Sequence, residues 1–165
     1  MPKLNSRSKG IRGERAVIDW LQPVCLEVHA ALNTSALGLS AFGAFAKVPL
    51  PCLQRNTLQS DKGGSDIAGL PWLAAEVKNC ETDSPGQIET WWAQCVRQAS
   101  PSQTPVLFYK RAHRPFRVRL LGGIGSQEPW LACVVDVDAA TFETWFRARL
   151  ALELEKQARQ TARNP

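Results

Sequence analysis

The sequence has few of the residues that build disulfide frameworks and zinc sites. It contains only two histidines, His29 and His113, which have no partner at metal-ligand spacing, and five cysteines without a Cys-x-x-Cys pair. An odd number of widely spaced cysteines argues against a disulfide framework, and the missing pair argues against zinc. We therefore expect reduced cysteines that are mostly buried. They are Cys25, Cys52, Cys80, Cys95 and Cys133.

The sequence also lacks a membrane-spanning run, a secretory signal and a nucleotide-binding loop. Its most apolar stretch, ALGLSAFGAFAKVPL, is interrupted by Gly, Ser and Lys. The amino terminus, MPKLNSRSKGIRGER, is basic but has no apolar core or cleavage site. The glycines of DKGGSD do not have the spacing of a phosphate-binding loop. At 165 residues, the chain is predicted to be one cytoplasmic domain that uses no membrane and no nucleotide cofactor.

Positive charge is concentrated in two places and favours DNA as the partner. The net charge is +5, with one cluster near the amino terminus and another between residues 110 and 119, where no acidic residue occurs. A basic face that serves only solubility is the alternative. The predicted DNA-contacting residues are Arg7, Lys9, Arg12, Arg55, Lys62, Lys110, Arg111, Arg114, Arg117 and Arg119.

The order of predicted elements indicates a mixed α/β domain. Residues 1–8 and 158–165 are expected to be flexible, and residues 33–51 to form an insertion or flexible excursion. Asp138 is expected to cap the last helix rather than to bind metal. The elements are helices at 13–22, 84–99 and 139–158, a strand at 53–59, two short strands within 65–78, and strands at 105–111, 116–121 and 131–137.

Three charged residues are predicted to converge on one short hairpin, SDIAGLPWLAAEVK. If its turn is centred near Pro71, Asp66 lies opposite Glu76, and residues so opposed in an antiparallel pair point to the same face. The two-residue period of a strand puts Lys78 on the face of Glu76 and turns Val77 toward the core. The sequence thus predicts two carboxylates and an ammonium in one patch.

Opposed carboxylates repel each other unless a proton or cation lies between them. Mg²⁺ prefers oxygen ligands, and this hairpin offers Asp66, Glu76 and the backbone carbonyl of Val77. Lys78 is placed to stabilise negative charge beside the metal. An exposed ion pair between Lys78 and a carboxylate is the alternative interpretation. Glu14 lies on the apolar face of its helix, where it either joins the site or only complements the helix dipole.

The segments GGSDIAG and AAEVK, with KGIRGER upstream, resemble the PD-(D/E)XK nucleases, and most closely the archaeal-type and phage-encoded Holliday junction resolvases. The resemblance covers about residues 9–121 and implies a restriction-endonuclease-like core with a mixed central sheet flanked by helices. It implies that Asp66 and Glu76 bind the metal and that Glu14 does so directly or through water. It also implies Lys78 as the catalytic lysine and Gln94, in preference to Gln87, as a supporting residue.

The resemblance further implies Mg²⁺ as cofactor, with Mn²⁺ as a substitute. The implied enzyme is a homodimeric endodeoxyribonuclease that cuts branched DNA in recombination or repair, in a bacterial cell or encoded by a phage. Ser65 stands where many members of the family have proline. Two alternatives remain open: a nuclease of the same class that cuts linear DNA, and a DNA-binding protein that keeps the fold without catalysis.

Overall fold

The computed structural model describes residues 6–35, 47–57, 64–124 and 131–163. Strands β3 to β6 form a four-stranded sheet in chain order, in which β3 and β4 are parallel and the other neighbours antiparallel. The predicted mixed sheet flanked by helices is therefore confirmed. The elements are α1 (Ser6–Ser35), β1 (Gln54–Arg55), β2 (Ile67–Ala68), β3 (Leu73–Cys80), α2 (Pro85–Gln98), β4 (Thr104–Arg111), β5 (Arg117–Ile124), β6 (Leu131–Asp138) and α3 (Ala139–Arg163).

Helix α2 connects the two parallel strands, and local sequence signals fix where it begins. The Ser84 side chain accepts a hydrogen bond from the Gln87 backbone N–H, and the Gln87 side chain accepts one from the Ser84 N–H. Pro85 occupies the first turn, where its missing N–H is not needed. This capping box confirms the predicted start of α2 and gives Gln87 a structural role at the helix end.

The sheet separates two apolar clusters. On one face, α1 and α3 cover residues such as Val77, Phe108 and Val118, and this cluster contains most of the buried side chains. On the other face, Trp92 and Cys95 of α2 pack on β4. The alternation along β3 and β5 explains the division, because successive strand residues point to opposite faces. The described elements therefore form three layers, with α2 covering the face that carries Glu76.

Both terminal helices are longer than the sequence indicated. Helix α1 begins at Ser6 and runs through Pro23 to Ser35, so residues 6–8 already belong to the helix and residues 33–35 are helical rather than part of an excursion. Residues 36–46 of the predicted excursion lie outside the described ranges. Helix α3 continues to Arg163, and Ala158 is buried in the core, so residues 158–163 are not a loose tail. Tertiary packing extends both helices beyond the segments with a clear apolar period. Within the described ranges, no helix combines the length and apolarity needed to cross a membrane.

The chain that leads into β1 is attached to α1 by side-chain hydrogen bonds. Gln22 donates to the Pro51 carbonyl at 3.0 Å and accepts from the Leu53 N–H at 2.7 Å. His29 Nε2 lies 3.1 Å from the Val48 carbonyl oxygen. These contacts fix the start of β1, which covers only Gln54–Arg55 of the strand predicted for residues 53–59. Residues 58 and 59 of that prediction lie outside the described ranges.

Candidate active site

Asp66 reaches β3 by a route that differs from the predicted hairpin. The Leu73 N–H donates to the Leu70 carbonyl, which confirms the turn. Strand β2, however, pairs with β1, and Asp66 lies just before it. The Asp66 N–H donates to the Ala75 carbonyl at 2.7 Å, and Oδ2 accepts from the Val77 N–H at 2.7 Å. Asp66 is thus bonded to the residues on either side of Glu76 instead of lying in a β2–β3 ladder.

The turn between β2 and β3 depends on a glycine. Gly69 has a φ of +108°, and a Cβ at this position would lie 2.1 Å from the Cys52 carbonyl oxygen. Only glycine combines this backbone conformation with so close an approach. The segment that carries Asp66 is therefore held between the chain entering β1 and the edge of β3.

Ser65 and Asn56 are two residues at this site that sequence reasoning did not identify. The Ser65 hydroxyl donates to the Ile67 carbonyl at 2.7 Å and accepts from the Ala75 N–H at 2.9 Å. The Asn56 side chain donates to the Ser65 carbonyl, and its backbone N–H donates to the Asp66 carbonyl. Together they orient the backbone that presents Asp66. The only signal in the sequence was Ser65 itself, a polar residue where the nucleases that the sequence resembles often have proline.

Glu76 is a buried carboxylate, with 3% of its surface exposed. Its side chain forms an ion pair with Lys78 and accepts a hydrogen bond from Gln94 Nε2 at 3.2 Å. Burial, and next the charge of Asp66, raise the pKa of Glu76, while Lys78 opposes the increase. The ion pair of the alternative interpretation is therefore present, but its Glu76 end is buried rather than exposed. Gln94, not Gln87, is the glutamine that contacts this site.

Glu14 lies nearby because α1 packs closely on β3. A Cβ at Gly13 would lie 3.0 Å from the Asn79 Cβ and 3.3 Å from Val77 Cγ1, so glycine permits this approach. Glu14 Oε2 accepts from Arg55 Nε at 2.5 Å. The charge of Glu14 also contributes, less than that of Asp66, to the raised pKa of Glu76. Glu14 thus belongs to the electrostatic surroundings of Glu76 and is neutralised by Arg55.

Asp66 and Glu76 form a pair of carboxylate donors that suits a hard cation. Within residues 6–35, 47–57, 64–124 and 131–163, no group of three His, Cys, Asp or Glu side chains is arranged to hold a metal ion. Asp66 and Glu76 nevertheless offer oxygen ligands, and Lys78 balances only part of their negative charge. A cation between the two carboxylates would relieve their repulsion. Glu14, paired with Arg55, contributes a further negative charge to the surroundings of Glu76.

Arg119 does not lie on an open basic face. It is 9% exposed, donates to Asp136 from Nε and Nη2 at 2.9 and 2.5 Å, and donates to Glu89 of α2 at 2.5 Å. Tyr109 also donates to Asp136, at 3.0 Å. Val118 is buried on the opposite face as predicted. The expectation that Arg119 contacts DNA does not fit this burial, which depends on partners distant in sequence.

The other predicted DNA-contacting residues fall into three groups. Arg55 is engaged by Glu14, and Lys62 lies outside the described residues. Arg7 is exposed near the start of α1. The remaining six line two neighbouring clefts at the carboxyl ends of β3 and β4, where parallel strands of open α/β sheets often bind ligands. They are Lys9, Arg12, Lys110, Arg111, Arg114 and Arg117.

Four of the five cysteines have the environments expected of free thiols in or near the core. Cys25 and Cys95 are buried, Cys80 and Cys133 are partly buried, Cys52 is exposed, and none forms a disulfide. Burial raises the pKa of Cys25 to about 11 and that of Cys95 to about 12. These two thiols are therefore protonated and unreactive near neutral pH.

Comparison with known proteins gives no relative from which a role could be transferred. No protein-family model, no curated protein and no solved structure matches the chain.

Proposed function

We propose that this protein is a metal-dependent endonuclease that hydrolyses phosphodiester bonds in DNA. The observation that carries the proposal is the buried Glu76 carboxylate, held by Lys78 and Gln94 next to Asp66. A folded protein has no structural need for two like charges in so enclosed a place, and such arrangements are common at functional sites. The finer proposal is a restriction-endonuclease-like core of the PD-(D/E)XK class.

Each side chain has a distinct task in this proposal. Asp66 and Glu76 would hold Mg²⁺, which supplies Lewis acidity and activates water. Lys78 presents a positive charge beside Glu76, where it can stabilise the charge that develops on the phosphate oxygens. Gln94 holds the Glu76 carboxylate in one orientation. Ser65 fixes the backbone that presents Asp66.

DNA is the proposed substrate because basic clefts lie beside the site. Lys9, Arg12 and Lys110 line one of them, and Lys110 and Arg117 line its neighbour. Positive side chains neutralise backbone phosphates and release counterions, which favours nucleic acids of any sequence. A four-way junction as preferred substrate, Mg²⁺ as native metal and a homodimeric state come from the resemblance to junction resolvases, and the proposal includes them on that basis.

A direct test compares DNA substrates with and without Mg²⁺. The protein is incubated with labelled four-way junction, flap, linear duplex and single-stranded DNA. We expect Mg²⁺-dependent cleavage of the junction, and cleavage that favours linear duplex would instead identify a repair or restriction-like nuclease. Binding of these DNAs without cleavage under any metal condition would contradict the enzymatic proposal and leave a DNA-binding protein.

Variants of the two carboxylates test the site itself. Asp66→Asn and Glu76→Gln should abolish cleavage while DNA binding stays near normal, because they remove metal ligands and no phosphate contact. Glu155→Gln is the matched control, since Glu155 pairs with Arg159 on the exposed side of α3. Mg²⁺ should raise the melting temperature of the wild type and of the control but not of the site variants. Substantial cleavage by both site variants would place the active site elsewhere.

Calcium provides a further check on the metal. Ca²⁺ takes a larger and looser coordination sphere than Mg²⁺ and positions water poorly. We expect Ca²⁺ to support DNA binding with little cleavage. Equal cleavage rates with the two ions would contradict a site tuned to Mg²⁺.

A further inference from the structure

A cleft of about 430 Å³ opens at the carboxyl ends of β3 and β4. It is lined by Lys9 and Arg12 of α1, by Lys110 of β4 and by His113 of the β4–β5 turn. His113 has a φ of 61°, a backbone conformation that non-glycine residues seldom adopt. The cleft is distinct from the Asp66 and Glu76 pair, because it follows that pair further along β3.

The charges of this cleft suit a phosphate group. Among its described lining residues, Lys9, Arg12 and Lys110 are cationic, and Glu81 alone is anionic. Lys9 is positioned by backbone contacts, since its carbonyl accepts from the Asn79 side chain at 3.2 Å. An anion entering the cleft would therefore meet cationic groups from two different elements.

Glu81 occupies the place that an entering anion would take. Its carboxylate forms an ion pair with Lys9, although 74% of its side chain is exposed. Exposed ion pairs contribute little because water competes for both groups. A phosphate oxygen can thus displace Glu81 from Lys9 at little energetic cost. Glu81 serves as a counterion for Lys9 until the cleft is filled.

The cleft lies at a defined distance from the carboxylate pair. Cys80, which lines the cleft, is four residues beyond Glu76 along β3. At about 3.3 Å per strand residue this is about 13 Å. Duplex DNA rises about 3.4 Å per nucleotide along its axis, and its phosphates also turn around that axis, so 13 Å spans at most about four nucleotides of one strand.

We propose that this cleft binds one backbone phosphate of the nucleic acid, within about four nucleotides of the bond that is cut, with Glu81 as the displaceable carboxylate on Lys9. This inference rests on the proposed nuclease function and adds a binding position to it. The cleft anchors the substrate, so that the scissile phosphate reaches the carboxylate pair in register.

Binding experiments in Ca²⁺ test the cleft without relying on cleavage. Lys9→Ala should weaken binding of a labelled duplex about fivefold and lower the slope of log K against log salt by about 1. Glu81→Gln should tighten binding up to about fivefold in the wild type, and this gain should disappear in the Lys9→Ala background. Glu155→Gln is the control for net charge. A gain that persists without Lys9, or equals that of the control, would refute the role of Glu81.

Modified substrates locate the phosphate. Neutral methylphosphonates are placed one at a time along a substrate strand. A single position within about four nucleotides of the cut should weaken binding to the wild type but not to Lys9→Ala. Uniform effects at all positions would overturn the proposal. Saturation of the cleft by inorganic phosphate without any effect of the methylphosphonates would mean a site for free phosphate, and would overturn it too. If the wild type cleaves none of the DNA substrates, that result would instead contradict the proposed nuclease function.

Discussion

The close contact between α1 and β3 gives a prediction of defined size. Replacing Gly13 with alanine would place a Cβ 3.0 Å from the Asn79 Cβ and 3.3 Å from Val77 Cγ1, both in β3 of the central sheet. Alanine favours the helix over glycine by about 1 kcal/mol. Overpacking a tight contact costs about 1–3 kcal/mol. The net effect of Gly13→Ala should therefore be between no change and a loss of about 2 kcal/mol.

Gly10 offers a matched control on the same helix. The nearest atom to its hypothetical Cβ is Glu14 Oε1 at 3.8 Å, an ordinary contact distance. Gly10→Ala should therefore keep the gain in helix propensity, about 1 kcal/mol, without the cost of overpacking. The two variants should differ by about 1–3 kcal/mol in free energy of unfolding. In a domain of this size, a difference of about 1 kcal/mol corresponds to at least about 2 °C in melting temperature.

Urea denaturation of the metal-free protein measures both variants, with DNA cleavage as a second readout. A shift of α1 away from β3 would displace Glu14 and Lys9, so we expect Gly13→Ala to lower cleavage while Gly10→Ala leaves it unchanged. Equal stabilisation by the two substitutions would refute the close packing of α1 on β3. It would also remove the reason for placing Glu14 beside the carboxylate pair.

Three other predictions concern the turn, the buried carboxylate and the buried arginine. Gly69→Ala should lower the free energy of unfolding by about 3 kcal/mol or more, whereas Gly86→Ala, with open space around it, should change it little in urea titrations. As the pH rises from about 4, the metal-free wild type should lose thermal stability relative to Glu76→Gln. A carboxyl group whose pKa is raised by folding favours the folded state only while it is protonated. A difference in melting temperature that does not change with pH would contradict this prediction. Arg119→Ala should lower the free energy of unfolding by about 2–3 kcal/mol and leave the salt dependence of DNA binding unchanged. Arg117 is exposed, so Arg117→Ala should flatten the slope of log K against log salt and leave stability unchanged. The reverse pattern would mean that DNA contacts Arg119.

The features that the sequence predicted well depend on neighbouring residues. Ser84, Pro85 and Gln87 define the start of α2 through contacts within one turn, so the signal is complete in a short window. The alternation of Val118 and Leu120 with polar residues likewise reports the two faces of β5 directly. Such local patterns sufficed for the order of elements and for the faces of the central strands.

The features that were missed depend on contacts between distant segments. Asp66 and Glu76 come together, but β2 pairs with β1 and not with β3, and no short window shows which of two neighbouring strands will pair. The burial of Arg119 requires Asp136 and Glu89, which are 17 and 30 residues away. From the sequence alone, an arginine alternating with apolar residues on a strand is indistinguishable from an exposed phosphate contact.

The hydrogen bonds that attach Gln22 and His29 to the chain before β1 bear on protein engineering. They fix residues 48–53 directly on α1, so the segment that leads into β1 is tied to that helix. The Gln22 amide supplies both the donor to Pro51 and the acceptor for Leu53, so replacing this one side chain would remove two of these bonds. A label is therefore better attached at an exposed position of α3 such as Leu152 than at Gln22, where it would release the entry to β1.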